Sequence, residues 1–153
     1  MTKGGYGLRF SLDPHREIST RAGRRFAKMA DGDEVVGVLP VADKDILCVV
    51  SSKAHVLLCK AEEAALLAGP GRGVTILKVE DDDAVVGFGL GGRKTDDVLV
   101  VELDNGKKVS VGPGQYTVTA RGGKGHALAR KAHVARVSYP EPPASSENPS
   151  VVN

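Results

Sequence analysis

The sequence predicts an all-β repeat protein, and three observations support this fold class. The chain has 153 residues, 19 of them glycine, and valine pairs recur along it, which favours strands and tight turns over helices. Aromatic residues make up only 4% and tryptophan is absent, so the core must be aliphatic. Basic, glycine-containing clusters also recur along the chain at a nearly constant spacing, which indicates an internal repeat.

Three such clusters are the landmarks of the repeat. They occupy residues 21–25 (Arg-Ala-Gly-Arg-Arg), 69–73 (Gly-Pro-Gly-Arg-Gly) and 121–125 (Arg-Gly-Gly-Lys-Gly), and their starts lie 48 and 52 residues apart. Residues 34–38 (Glu-Val-Val-Gly-Val) match residues 84–88 (Ala-Val-Val-Gly-Phe), 50 residues later. A period of about 50 residues is the length of a four-stranded propeller-like blade. We therefore expect about three four-stranded blades, with an open or incomplete arrangement because the chain starts and ends out of phase.

Turn signals place the strands within each unit. Asn105-Gly106 joins the apolar run 98–103 to residues 107–111, and Asn-Gly favours a two-residue hairpin because both positions tolerate positive φ. Residues 52–54 and 3–5 are the counterparts of this turn in the other two units. Each unit is predicted to run strand, tight turn, strand, loop, basic glycine turn, strand, acidic turn, strand.

Two segments depart from the strand pattern. Residues 60–67 contain strong helix formers and no β-branched residue, so we expect one or two helical turns or an irregular loop at the outer edge. Residues 138–153 are rich in proline and serine, which indicates a disordered tail. The predicted organisation is therefore one repeat domain over residues 1–137, followed by the tail.

Several classes of function find no support in the sequence. No apolar stretch approaches the ~20 residues that span a bilayer, and no secretory signal is visible, so we expect a cytoplasmic protein without a membrane partner. Cys48 and Cys59 lie inside apolar runs, which predicts buried, reduced thiols. The four histidines lack partners at metal spacing, and the glycines of residues 87–92 precede too short a segment for a dinucleotide-binding helix. We expect neither a metal nor another cofactor.

Charge is distributed in blocks that follow the repeat. The formal net charge is +2, but residues 1–30 carry +5, residues 79–106 carry −6 and residues 107–137 carry +7. Equivalent basic turns would line one rim, where glycine lets backbone N–H groups approach a phosphate closely, while acidic blocks would occupy other faces. The candidate DNA contacts at the turns are Arg21, Arg24, Arg25, Arg72, Arg121 and Lys124, with Arg9, Lys53, Lys60, Lys107 and Lys108 as supporting charges.

Four segments together resemble a known family. Residues 5–10 (Gly-Tyr-Gly-Leu-Arg-Phe), 33–38, 71–74 and 121–125 are similar, in this order, to the repeats of the C-terminal domain of the gyrase and topoisomerase IV A subunit. The resemblance spans residues 2 to about 137. It implies a β-pinwheel, in which neighbouring four-stranded blades exchange a strand and duplex DNA bends or wraps around a basic outer rim.

The resemblance also implies partners and an absence of chemistry. The partners would be duplex DNA, the ATPase B subunit, and the remainder of the A subunit, in association with the nucleoid, and the catalytic tyrosine would lie in another domain. The gyrase box Gln-Arg-Arg-Gly-Gly-Lys-Gly is matched only over residues 121–125, because Thr119 and Ala120 occupy its first two positions. The match also falls in the last unit instead of the first. These departures favour a topoisomerase IV-like or trimmed module.

Two alternatives compete with sequence-independent DNA binding and bending. The first is a propeller-like protein–protein interaction module without a nucleic-acid role, whose basic residues serve solubility or an acidic partner. The second is a small β-enzyme, which would need convergent polar groups in a pocket. The position of the charge distinguishes DNA binding from the protein-interaction module, since DNA binding requires the basic turns on one continuous rim.

Overall fold

A computed structural model describes residues 1–18, 21–92 and 97–141, and it confirms the all-β class. Regular structure in these ranges consists of short strands and two 3₁₀ helices, Asp13–His15 and Ala61–Glu63. None of the helices found there is long and apolar enough to cross a membrane. The strands are β1 Tyr6–Gly7, β2 Arg9–Phe10, β3 Ile46–Ser51, β4 His55–Lys60, β5 Leu66–Leu67, β6 Val74–Thr75, β7 Val85–Gly91, β8 Leu99–Leu103, β9 Lys108–Val111, β10 His126–Ala127 and β11 Val134–Ser138.

These strands form three successive units: residues 1–44, 45–92 and 97–141. The second unit contains a four-stranded sheet of order β10-β4-β3-β7, and the third unit a three-stranded sheet of order β11-β8-β9. The first unit contributes the pairs β1-β6 and β2-β5. Because β6 belongs to the second unit and β10 to the third, the second and third units each donate a strand to the unit before them.

Backbone geometry repeats at the tight turn of each unit. Gly5, Ala54 and Gly106 have φ values of 86°, 60° and 82°, and the N–H of each donates to the carbonyl three residues earlier. All three stand at the predicted hairpin turns. The Asn105-Gly106 turn joins β8 to β9, in which Glu102 pairs with Lys108.

The sheet of the second unit is buried on both faces, because β3 and β4 are apolar at every inward position. On one face, Val50, Val56 and Leu58 pack against the third unit. On the opposite face, Val49 and Leu57 pack against the first unit and the end of the second. All five side chains are at most 2% exposed. Continuous apolar runs in β3 and β4 are therefore typical of a sheet layered between two others.

Both cysteines are free and buried, as the sequence predicts. Cys48 and Cys59 lie on opposite faces of the second unit's sheet, one in each apolar cluster. Burial raises the pKa of each thiol to about 12. Both residues therefore act as small apolar core residues.

The two irregular segments take specific forms. Residues 60–67 begin with the 3₁₀ helix Ala61–Glu63 and end in β5, which pairs in parallel with β2. At the other end of the chain, β11 extends to Ser138, and the Tyr139 hydroxyl donates a 2.9 Å hydrogen bond to the Phe88 carbonyl. The predicted tail therefore begins inside the folded part, and its residues 142–153 lie outside the described ranges.

Candidate nucleic-acid interface

The three basic turns (residues 21–25, 69–73 and 121–125) share a glycine in the left-handed backbone region. Gly23, Gly73 and Gly125 stand at the equivalent position, with φ values of 71°, 80° and 74°. At Gly73 a Cβ atom would lie 2.2 Å from the carbonyl oxygen of Gly7, and at Gly125 one would lie 2.5 Å from that of Val56. The second and third turns therefore require glycine because they press directly onto the backbone of the preceding unit.

The second and third basic turns are attached to the preceding unit in the same way. The Lys28 N–H donates to the Gly71 carbonyl, and the Lys78 N–H donates to the Gly123 carbonyl, both at 2.9 Å. A parallel bridge accompanies each bond, joining Ala27 to Gly71 in one case and Leu77 to Gly123 in the other. Each turn therefore has the same orientation relative to the unit before it, so Arg72 and Lys124 occupy equivalent exposed positions.

Each candidate cation at the basic turns is exposed. The Arg72 guanidinium carbon lies 5.3 Å from the centre of the Tyr6 ring, within cation–π range. The Arg121 guanidinium donates a 3.1 Å hydrogen bond to the Thr75 carbonyl in β6, which ties the third basic turn to the strand that follows the second. In the first turn, Arg21, Arg24 and Arg25 project from the surface, and the Arg24 guanidinium lies 3.9 Å from the Glu17 carboxylate.

The acidic turns do not occupy separate faces, so that part of the prediction is wrong. The Lys124 ammonium lies 3.5 Å from the Glu80 carboxylate of the preceding unit. Asp33 of the first unit's acidic turn is likewise close enough to Arg72 for the arginine's charge to lower its pKa. Burial raises the pKa of Asp33, but hydrogen bonds from Thr2 and two backbone amides, together with the charge of Arg72, outweigh burial and hold it below its usual value. The reason is topological: the second and third basic turns each bind the segment that leads into the preceding unit's acidic turn.

The supporting cations have unequal surroundings. Arg9 is half-buried and its guanidinium donates to two backbone carbonyls, Ala64 at 2.8 Å and Glu62 at 3.1 Å, so it holds β2 against the neighbouring unit. Lys53 forms an ion pair with Asp82, and the Lys60 ammonium lies 4.0 Å from the Glu62 carboxylate.

Lys107 and Lys108 differ from these three. Both are exposed at the β8–β9 hairpin, and within the described ranges neither forms an ion pair with a carboxylate.

Four exposed cations that follow the basic turns were missing from the sequence-based prediction. Lys28, Lys78 and Arg130 each follow the positive-φ glycine of a basic turn by five residues, and this constant spacing was the signal that could have found them. Arg130 and Lys131 also form a turn where the first two units have acidic turns, because the third unit is three residues shorter there. The third unit thus adds positive charge at a position that is acidic in the other two.

Comparison with known sequences matches this chain to the C-terminal domain of DNA gyrase. A family model described as "DNA gyrase C-terminal domain, beta-propeller" matches residues 1–42 and 45–90. The A subunit of DNA gyrase from Rickettsia prowazekii (strain Madrid E) is 32% identical over 93 residues, which is 59% of this chain and 10% of that protein. The corresponding protein of Staphylococcus epidermidis (strain ATCC 12228) is 29% identical over 127 residues, 81% of this chain and 14% of that protein. The chain thus spans only a small part of these relatives.

Solved structures share the fold. The C-terminal domain of a DNA topoisomerase IV superimposes with a TM-score of 0.78 at 16% identity, covering 92% of this chain and 45% of that one. A DNA gyrase A C-terminal domain superimposes with a TM-score of 0.70 at 20% identity, covering 90% of this chain and 46% of that one. The propeller-like fold predicted from the repeat is confirmed, and so is the β-pinwheel that the family resemblance implied; in the described residues the sheets do not close into a ring.

Proposed function

Because the chain belongs to the DNA gyrase C-terminal domain family, we propose that it binds duplex DNA through its basic turns, largely independently of sequence. The proposal rests on one observation above all. Arg72 and Lys124 recur at equivalent, exposed positions of turns that have the same attachment to the preceding unit. Equivalent positions on successive units present cations at regular intervals, and regular cations match the regular phosphates of a duplex.

The structure favours some candidates over others as phosphate ligands. Residues 107–137 carry a charge of +7 without any acidic residue, and their cations Arg121, Lys124, Lys107, Lys108, Arg130 and Lys131 are all exposed. Arg21, Arg24 and Arg25 supply the equivalent charge in the first unit. Backbone interactions occupy the guanidinium of Arg9. Lys53 pairs with Asp82 and its side chain is only 32% exposed, against 68% for Lys124, so we rank Arg9 and Lys53 last.

The family also supplies the setting for this activity. We propose that the domain bends or wraps DNA as an accessory part of a type II topoisomerase, in association with the nucleoid, with the ATPase B subunit, and with the remainder of the A subunit. In this proposal the chain takes no part in strand cleavage itself, and the cleaving tyrosine belongs to another domain. A topoisomerase IV-like parent and a gyrase parent both fit this role.

The experiment is a gel-shift titration of a random-sequence duplex at several salt concentrations. The double substitution Arg121→Ala/Lys124→Ala removes two cations from one turn. If both cations neutralise phosphates, affinity falls at low salt, and the slope of log K against log salt flattens by about 0.9 for each phosphate that is no longer neutralised.

A charge-matched control separates direct binding from net charge. Arg16→Ala/Lys44→Ala also removes two exposed cations, but neither belongs to a basic turn. It should leave the salt slope close to that of the unsubstituted chain. Equal effects of the two double variants would show that this turn does not bind the duplex. If the unsubstituted chain does not shift DNA even at low salt, the protein-interaction alternative is favoured.

A further inference from the structure

The aromatic ring of Tyr6 lies at a junction between units, where two successive basic turns meet. Tyr6 is the cross-strand partner of Thr75 in the β1-β6 pair. The Arg72 guanidinium carbon lies 5.3 Å from the centre of the Tyr6 ring, and the Arg121 guanidinium donates to the Thr75 carbonyl at 3.1 Å. This one pair of residues therefore contacts a cation of the second basic turn and a cation of the third.

The backbone of Tyr6 is held through both of its hydrogen-bonding groups. The Tyr6 N–H donates to the Thr2 hydroxyl at 3.3 Å, and the Tyr6 carbonyl accepts a 2.9 Å hydrogen bond from the Thr2 N–H. The ring is half-buried, whereas Arg72 is exposed. An exposed arginine samples many rotamers unless a neighbour restrains it. A half-buried ring on a fixed backbone is suited to restrain one by cation–π attraction.

Contact with a ring leaves the hydrogen-bond donors of a guanidinium available to a phosphate. A guanidinium has five N–H donors, and attraction to the face of a ring uses none of them. Within the described ranges the guanidinium groups of Arg9, Arg121 and Arg136 donate hydrogen bonds, but that of Arg72 does not. Arg72 forms no ion pair with a carboxylate in these ranges either, although its charge lowers the pKa of Asp33. The ring therefore restrains Arg72 without competing with a phosphate.

A ring residue also follows the tight turn of the second unit. His55 stands there, and its N–H donates to the Ser51 hydroxyl at 3.3 Å, the same bond that the Tyr6 N–H makes with a threonine. His55 and Lys124 line one small cavity of about 70 Å³. Because Lys124 is the counterpart of Arg72, a ring accompanies the cation of the following basic turn at both junctions.

Building on the proposed DNA binding, on which this inference rests, we propose that Tyr6 is a positioning residue for Arg72. Its ring holds the guanidinium on the rim, ready for a backbone phosphate, before the duplex binds. A side chain that is already ordered loses less conformational entropy on binding, so the ring raises affinity without contacting DNA itself. A cation–π contact at an exposed site changes an equilibrium by about two- to fivefold, and this sets the size of the effect.

The first test compares three variants in a gel shift with a random-sequence duplex at low salt. Tyr6→Leu removes the ring and should weaken binding by about two- to fivefold. Tyr6→Phe keeps the ring and should bind as the unsubstituted chain does. Tyr139→Leu is the matched control, since Tyr139 is an exposed tyrosine outside the basic turns, and it should leave the affinity unchanged. Equal binding by Tyr6→Leu and the unsubstituted chain would overturn the proposal, as would a loss in Tyr6→Phe equal to that in Tyr6→Leu.

A double-mutant cycle separates positioning from a merely structural role. In the Arg72→Ala background, Tyr6→Leu should cause no further loss of affinity, because the ring then has no guanidinium to hold. If the ring only supports the fold, Tyr6→Leu weakens binding by the same factor in both backgrounds, and the proposal is wrong. Circular dichroism checks that each variant is folded. If Tyr6→Leu is not, Tyr6→His replaces it with the same expected direction, because histidine stands at this place in the second unit.

A measurement without DNA distinguishes failure of this inference from failure of the proposed function. The ring current of Tyr6 should shift the NMR signals of the Arg72 side-chain protons upfield of those of Arg130, which is exposed. Tyr6→Phe should keep this shift and Tyr6→Leu should remove it. Absence of the shift in a chain that binds DNA would overturn the positioning role alone. A shift in a chain that does not bind DNA would overturn the proposed function, and the role of Tyr6 with it.

Discussion

Replacing Gly125 by alanine tests the geometry on which the third basic turn depends. Gly125 has a φ of 74°, and a Cβ atom built on it would lie 2.5 Å from the carbonyl oxygen of Val56. Alanine therefore meets two penalties at this position. The left-handed conformation costs roughly 1–2 kcal/mol for a residue with a Cβ. The clash with a backbone oxygen must also be relieved, and the nearest bonds to give way are those that pair β10 with β4.

The expected loss of folding free energy is the sum of these two penalties. Loss of one or two backbone hydrogen bonds adds about 1–2 kcal/mol to the conformational cost, so Gly125→Ala should destabilise the fold by roughly 2–4 kcal/mol. Gly106→Ala carries the conformational penalty alone, because its φ is 82° but nothing lies within 4 Å of the added Cβ. Gly69→Ala carries neither penalty and should be neutral or stabilising by up to about 1 kcal/mol.

Urea unfolding followed by circular dichroism measures all three variants. The expected order of the free energy of unfolding is Gly69→Ala highest, then Gly106→Ala, then Gly125→Ala, with similar m values. Gly125→Ala should also weaken duplex binding in a gel shift, since Lys124 moves with the turn. Our account of the turn would be refuted if Gly125→Ala were no more destabilising than Gly106→Ala.

Three further predictions concern individual side chains. Because burial raises the pKa of Cys48 and Cys59 to about 12, iodoacetamide at pH 8 should alkylate the folded chain more than about 100-fold slower than the urea-unfolded chain, as measured by mass spectrometry. Burial raises the pKa of Asp83, but hydrogen bonds from two serines and two backbone amides outweigh it, so the folded pKa lies below the unfolded value of 3.8. Its stabilisation is complete above that value and is lost as pH falls through the folded pKa, so Asp83→Ala should lower stability at pH 7 and flatten its decline in acid, measured by urea unfolding between pH 7 and pH 3. Tyr139→Phe removes a hydrogen bond to a carbonyl of β7 and should cost about 0.5–1.5 kcal/mol by the same assay; no change would mean that this residue lies outside the folded domain.

Local chemistry explains the part of the fold that the sequence predicted. The Asn105-Gly106 turn, the positive-φ glycines of the basic turns and the apolar runs of β3 and β4 are all signals carried by a few adjacent residues. Their recurrence at about 50 residues identified the units before any contact was known. The predicted candidates at the basic turns are exposed, as a phosphate-binding role requires.

Interactions between units account for what was missed. Residues 66–67 lie in a segment of helix formers without a β-branched residue, yet they form β5 because Arg9 and Phe10 of the preceding unit offer backbone partners. The acidic turns were expected on other faces, but Glu80 lies beside Lys124 because a basic turn binds the neighbouring unit next to that unit's acidic turn. Such proximity depends on which unit packs on which, and no local pattern encodes it.

The sequence by itself determined the all-β class, the period of the repeat, the hairpin turns and the burial of both cysteines, because short-range propensity and hydrophobic pattern fix each of these. Only the tertiary structure decided how the units share strands and which cations lie beside carboxylates of neighbouring segments. The physical reason is that these properties arise from residues far apart in the sequence, 29 positions for Lys53 and Asp82, which packing brings together and sequence order does not.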